Sequence, residues 1–333
     1  MFEAVDLGTM ESIRDITPII TVSDGAFVEQ SLSSETWTTG QIGFAGARSW
    51  LTQLVRVSVC EDDHKEILGT FFPSLSDISY LSREVATGTL RLDGTLIALK
   101  GTLLPTSYVI ASGASATQVI QDMCALSGVH ADISKAEGDY RYPAPVFFDA
   151  GESALSVASE AAELAGVHLV SDRLGYVSTR GDASIRGGAT FVSGVSTTDL
   201  LSEISKSYAF LSSPTRIVAA FTDTGTALFT TVDLDDTPQG ASTRGRNFDA
   251  SLSVSSLPSP DLATLRAVAK DALIEQSQET WSFLCSHREL DAGDMAVVMD
   301  YDSSETLEGH VESIKTFLTG LCEQEITIKG GLR

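Results

Sequence analysis

The chain has 333 residues, 43% of them hydrophobic and 20% charged, with a formal net charge of −23. That balance describes two or three folded domains with ample core, not a disordered tail. The acidic excess argues against a nucleic-acid reader, whose affinity needs Lys and Arg to neutralise phosphates, but suits a wall past which DNA slides, or simply a soluble surface. No apolar run approaches the about 20 residues needed to span a bilayer. The start, Met1-Phe-Glu-Ala-Val-Asp6, lacks the basic flank and apolar stretch of a secretory signal, which implies folding in the cytoplasm. Cys60, Cys124, Cys285 and Cys322 are too far apart for thiolate metal spacing or a disulfide framework, and read as small core or surface residues.

Residues 1–12 read as a lead-in. From 13 to 100 short alternating runs follow one another: Ile16–Val22, Phe27–Leu32, Leu54–Val59, Ile67–Phe72 and Val85–Leu92. Turn signals at Ser23-Asp24-Gly25 and Asp93-Gly94 separate them, so this part predicts a β-barrel or sandwich. The texture changes at Lys100. A connector, Gly101–Pro105, and a short extended piece, Tyr108–Ile110, precede Ser115-Ala-Thr-Gln118, which fits a capping box. Val119, Ile120, Met123, Cys124 and Leu126 then form an apolar helical stripe that Gly128 ends. A Pro-rich linker, Tyr142–Pro145, leads to a second helix near 152–165, closed by Gly166. After it, Val167–Val170 and Tyr176–Thr179 flank the turn Asp172-Arg-Leu-Gly175 as a hairpin.

From 191 the β texture returns, with a helical piece expected at Thr198–Tyr208 and a buried strand at Arg216–Thr222. Residues 223–257 are rich in Gly, Asp, Ser and Thr and predict an extended hairpin or loop. Ser259-Pro260 places a cap and an N1 proline before a helix over 261–278. A β-unit from Trp281 to Ile328 closes the chain. The fold class expected is mainly β with an α+β insertion: two tube-like β-barrel domains, 1–100 and 191–333, flanking a small α+β module of two helices and a hairpin at 101–190.

One stretch occurs twice. Leu54–Val59 alternates, an acidic loop (Glu61, Asp62, Asp63) follows, and a second apolar run surrounds Gly69. At a constant offset of 240 residues, Val57 matches Val297, Val59 matches Met299, Gly69 matches Gly309 and Phe71 matches Val311. Each copy precedes another alternating run, 85–92 and 324–329. Chance similarity between two acidic turns is the alternative to an internal repeat.

The residues offer little chemistry. Glu61-Asp-Asp-His64 and Asp233-Leu-Asp235-Asp236 lack the alternate spacing and glycine turn of a Ca²⁺ loop, and Pro238 stands where that glycine would be. No phosphate-binding glycine loop can be written, and Gly113-Ala-Ser115-Ala-Thr117 lacks the closing glycine of a nucleophile elbow. His64, His130, His168, His287 and His310 are scattered. Cys285 and His287 merely share a strand face, and Glu160 and Glu163 lie on a helix's wet side. No catalytic, cofactor-binding or metal residue is expected, and no cofactor.

The order of signals carries a resemblance. A β-unit closing with Ile67-Leu-Gly-Thr-Phe-Phe-Pro-Ser74 and Arg83–Leu99 is followed by Tyr108–Val129 and Gly166–Val177, and later by Arg216-Ile-Val-Ala-Ala220, Leu257-Pro-Ser-Pro260, a helix and Leu290-Asp-Ala-Gly-Asp-Met-Ala-Val-Val298. From about residue 15 to 330 this resembles the bacteriophage tail-hub (baseplate-hub) proteins. The resemblance implies a structural virion protein of the tail tip, assembled in the host cytoplasm. It implies a homotrimer whose six barrels form a pseudo-hexameric ring, adapting a sixfold tail tube to threefold fibres or a spike. Its partners would be a distal tail or tail-tube protein, the tape-measure protein and tail fibre or spike proteins, with genomic DNA passing through during ejection. Some hub chains carry lysozyme or peptidase extensions; this one ends at Arg333, directly after its second β-unit, so none is expected. A tail-tip cell-wall hydrolase is the alternative, and a carbohydrate-binding adhesin a third, although Trp37, Trp50 and Trp281 are widely separated.

Overall fold

Alternating apolar residues make strands wherever one face can be buried, and strands carry most of this chain. The computed structural model describes all residues except 23–24, 48, 50, 62–63, 83–84, 134–139, 182–187, 194–199, 208–212, 224–225, 235–239, 255–260, 277, 321 and 333. Strands β1 (Phe2–Val5), β2 (Ser12–Asp15) and β3 (Ile20–Thr21) precede β4 (Phe27–Ser31), β5 (Thr38–Ala47), β6 (Leu54–Glu61), β7 (His64–Tyr80) and β8 (Val85–Asp93). Then come α1 (Leu96–Gly101), β9 (Tyr108–Ile110), α2 (Ala116–Leu126), β10 (Ala131–Asp132), β11 (Val146–Phe148), α3 (Ala154–Leu164), β12 (Val167–Ser171) and β13 (Val177–Gly181). The later elements are β14 (Ala189–Ser193), β15 (Ser205–Ser207), β16 (Arg216–Asp223), β17 (Thr226–Asp233), α4 (Ala241–Arg244), β18 (Asp249–Val254) and α5 (Leu262–Gln276). The last strands are β19 (Glu279–Cys285), β20 (Met295–Asp300), β21 (Glu305–Phe317) and β22 (Gln324–Leu332). The chain is mainly β with an α+β insertion, as expected, and its sheets are open among the described residues. Among those residues no helix is long and apolar enough to cross a membrane.

The chain divides into two compact units. The first comprises Met1–Gly187, Leu284–Asp294 and Glu312–Ile326; the second comprises Gly188–Phe283, Met295–Val311 and Thr327–Arg333.

In the first unit the sheet runs β21-β4-β5-β8-β7-β6-β1-β2, with β3 added to β5. Its strands alternate as the sequence predicts: Ile42 and Phe44 on β5, Val55 and Val57 on β6, and Leu90 and Leu92 on β8 are all buried. With Phe71 they form one apolar cluster. Each such side chain contributes about 1.5–3 kcal/mol by leaving water.

The α+β part has its own core, where α2 and α3 bury Val119, Ile120, Met123, Val157, Ala158 and Ala161. Ser153 caps α3 by accepting from the Ser156 amide at 3.1 Å. Ser115 accepts from the Gln118 amide at 3.3 Å. The Gln118 side-chain amide also donates to Asp122 one turn on, at 2.8 Å. Trp37 joins this core although it lies upstream of it, 7% exposed and with a left-handed φ of 63°. The short helix α1 was not foreseen, because the alternating run before it masks so brief a helical period.

In the second unit β16 lies between antiparallel β17 and parallel β18. Ile217, Ala219 and Phe221 face Leu265, Ala269 and Leu273 of α5, the helix that the sequence placed over 261–278. The opposite sheet face is open, with Val218 and Phe229 exposed. The 223–257 stretch therefore holds two strands and a short helix rather than loop alone; the Ser259-Pro260 cap lies outside the described residues. The helix expected at Thr198–Tyr208 is corrected for residues 200–207, where β15 pairs antiparallel with β19, Lys206 opposite Trp281. Edge pairing and the Lys206 ammonium over the Trp281 ring, 4.4 Å from its centroid, favour strand there. Residues 198, 199 and 208 lie outside the described ones. Phe191 and Phe283 pack with ring centroids 4.8 Å apart in this unit's other core.

The repeated stretch is a repeated hairpin, embedded in a repeated set of four strands. In space β6-β7-β8-β5 follow one another, and so do β20-β21-β22-β19. Ser58↔Ile67, Val59↔Glu66 and Cys60↔Lys65 in the first hairpin correspond at the same offset to Val298↔Leu307, Met299↔Thr306 and Asp300↔Glu305 in the second. A β-bulge between Val57 and Ser58 then shifts the first by one, pairing Val57 with Gly69, whereas Gly309 pairs with Ala296.

Candidate functional site

The densest polar structure in the first unit grows from the turn Asp172-Arg-Leu-Gly175. Asp172 closes the turn by accepting from the Tyr176 amide at 2.8 Å, and Gly175 supplies the left-handed φ of 94°. Thr70 on β7 donates to the Arg173 carbonyl at 3.0 Å, which seats the turn on that strand. The Arg173 guanidinium then engages three groups. Nη1 meets Glu66 Oε1 at 2.5 Å, Nε meets Asp291 Oδ1 at 2.9 Å and Nη2 donates to the Leu290 carbonyl at 2.9 Å. The second Glu66 oxygen is 2.7 Å from His287 Nε2. Glu66 is 10% exposed and Arg173 21%.

Further side chains extend the network. Gln30 on β4 donates to Asp291 at 3.3 Å and accepts from the Ala292 amide at 3.1 Å. Arg180 on β13 pairs with Asp294 and donates to the Ala292 carbonyl at 2.8 Å. Gln324 accepts from the Arg288 amide at 2.8 Å and donates to its carbonyl at 3.2 Å. A small cavity beside the network is lined by Glu66, Arg173, Gln30, Gln324 and Thr316 with Val28 and Leu68. Burial alone would raise the Glu66 carboxyl, but hydrogen bonds from His287 and Arg173, and their charge, hold it below its ordinary value. Arg173 is likewise opposed by burial, yet Asp291 and Glu66 keep it firmly charged. With both oxygens of Glu66 engaged, this cluster clamps Arg173 and His287 together.

The second unit holds a shallower cluster. Lys206 meets Asp300 Oδ2 at 2.5 Å and Glu305 Oε2 at 2.7 Å, while Ser193 donates to Asp300 at 2.7 Å. Burial would raise Asp300, but bonds from Lys206, Ser193 and Ser303 carry it far below the carboxylate range. Of the acidic loops noted in the sequence, 300–305 thus binds a lysine, and Asp62 and Asp63 lie outside the described residues.

No catalytic, cofactor or metal residue was singled out in the sequence, and among the described residues no three His, Cys, Asp or Glu side chains gather as a metal group. All four cysteines are free, and burial pushes the Cys124 thiol up to about 12. Cys285 is buried while His287, two residues on, reaches Glu66. Glu160 is pushed up by burial and by Glu152 and Glu163. Sequence reading missed the Arg173 network because its partners lie 107, 118 and 221 residues apart. The turn signal at 172–175 located Arg173 without naming its role.

The fold is that of phage tail proteins. A tail protein from Neisseria meningitidis matches 98% of this chain and 96% of its own, with a TM-score of 0.69 at 14% identity. The 43 kDa tail protein of prophage MuSo2 from Shewanella oneidensis matches 94% of this chain and 97% of its own, with a TM-score of 0.66 at 12% identity. An E. coli component of the type VI secretion system, itself described as similar to T4 tail proteins gp27 and gp5, matches 96% of this chain and 75% of its own, with a TM-score of 0.53 at 12% identity. No protein-family model matches the sequence, and neither does any curated protein. The resemblance seen in the order of sequence signals is thus met at the level of fold.

Proposed function

We propose that this chain is a structural protein of a phage tail tip, a hub that adapts a sixfold tube to threefold fibres or a spike. The observation that carries the reading is the four-strand set present twice, β5–β8 and β19–β22, within a fold shared with phage tail proteins over nearly the whole chain. Three copies would then offer six similar β-units, completed as tube-like barrels in a homotrimeric, pseudo-hexameric ring. Residues 1–100 and 191–333 would supply the units and 101–190 the module between them. Tube, tape-measure and fibre or spike proteins would be its neighbours, and the acidic charge suits a channel that lets DNA pass without sticking. The clamp around Arg173 serves this role by fixing the backbone of a long connection. Native mass measurement tests the assembly: a particle of three times the 35.3 kDa chain mass is expected, seen end-on as six similar lobes. A stable monomer at micromolar concentration, both alone and with neighbouring tail proteins, would falsify it.

A further inference from the structure

The segment Leu284–Asp294 belongs to the first unit although the residues on either side of it belong to the second. Its residues 286–294 have no regular structure, and its own backbone bonds are few, Leu290 to Arg288 and Asp294 to Asp291. Yet Ala292 is fully buried and Asp294 2% exposed. A buried loop must have its backbone groups satisfied by something, and here side chains from other elements do it. Gln324 takes the Arg288 amide and carbonyl, Arg173 the Leu290 carbonyl, Gln30 the Ala292 amide and Arg180 the Ala292 carbonyl.

We infer that residues 287–294 form an acid-released strap, held to the first unit by the ion cluster around Arg173 and freed when that cluster's carboxylates are protonated. The charges facing one another are the carboxylates of Glu66, Asp291 and Asp294, the guanidiniums of Arg173 and Arg180, and the His287 imidazole. With the carboxylates ionised the positive groups are balanced. With them neutral, the Arg173 and Arg180 guanidiniums are left without counter-charge in a largely buried site, and Arg173 loses both charge-assisted anchors. His287 Nδ1 is buried with no hydrogen-bond partner among the described residues, so the imidazole depends on Glu66 alone. The sign follows from Glu66: its folded pKa lies below its unfolded value, so its contribution is present above about pH 4.5 and is lost as pH falls through the folded pKa. The strap and its clamps lie in one chain, so the device does not depend on the trimer.

Hydrogen exchange followed by mass spectrometry on the intact protein tests it. At pH 7, Glu66→Gln is expected to speed exchange across 287–294 at least about tenfold while β5–β8 stay protected. Wild type should show the same local loss as pH falls below about 4.5, after correction for intrinsic rates, and E66Q little further change. Protection of 287–294 that is unaltered by E66Q, or that fails only together with β5–β8, overturns the strap. Should E66Q not be recovered folded, the wild-type pH series decides alone: local loss supports the strap, and loss in step with the sheet sinks it.

Discussion

The hairpins β6–β7 and β20–β21 share a register from Ser58 to Cys60 and from Val298 to Asp300, yet they hold different kinds of ion cluster. Glu66, on the first, is nearly buried and answers to Arg173 and His287. Asp300 and Glu305, on the second, answer to Lys206, with Glu305 45% exposed. Arg in the buried cluster spends a planar fork on two carboxylates and a carbonyl; Lys in the exposed one serves as a point charge over an indole. The depth of the charges, and not their number, decides what each is worth. A buried pair broken on one side leaves an uncompensated charge, whereas solvent and salt screen an exposed one.

That contrast can be broken by substitution. Arg173→Met should cost the most, about 3–5 kcal/mol in denaturant unfolding, because Glu66 and Asp291 lose their shared partner; a cost below about 1 kcal/mol would make the two clusters equivalent. Next come the glycines at matching positions, Gly69 and Gly309. A Cβ on Gly309 would sit 2.1 Å from the Lys329 carbonyl and 2.6 Å from Gly330 Cα, so backbones must part. On Gly69 it would meet the tip of the Phe71 ring at 2.5 Å, which a side-chain shift relieves. Gly309→Ala is therefore expected near about 3 kcal/mol and Gly69→Ala near about 1, compared by thermal unfolding. Lys206→Met should cost least, below about 1 kcal/mol, and its effect should shrink in high salt while that of R173M does not. An acid titration of wild type and K206M then separates the clusters, since depressed carboxylates contribute above their unfolded values, about 4.5 for Glu66 and 3.8 for Asp300, and lose that contribution as pH falls. K206M should be less stable than wild type above about pH 4, and the difference should fade as pH falls further.

Much of the fold was legible because its rules are local. Alternation marked the strands, Ser115 and Gly128 marked the ends of α2, and the 240-residue offset marked the paired hairpins before any partner strand was known. The first strand of each four-strand set, β5 and β19, escaped that comparison because the buried Trp281 and Phe283 stand one residue out of phase with Ile42 and Phe44 at that offset. β15 was misread as helix because Lys206 gains its partners from β19 and the β20–β21 turn, which no local pattern reports. The Arg173 cluster was hidden for the same reason. A single arginine in a polar turn looks solvated until a glutamate and an aspartate, each more than a hundred residues away, arrive beside it.

That separation has a meaning in time. Glu66 is synthesised 221 residues before His287. At ribosomal rates of about 5–20 residues per second, its carboxylate waits about 11–44 s for the segment that completes its cluster. The first unit is therefore begun by the start of the chain and finished only by its last tenth or so, and a nascent chain stalled before residue 287 would carry a formed sheet with an open seat.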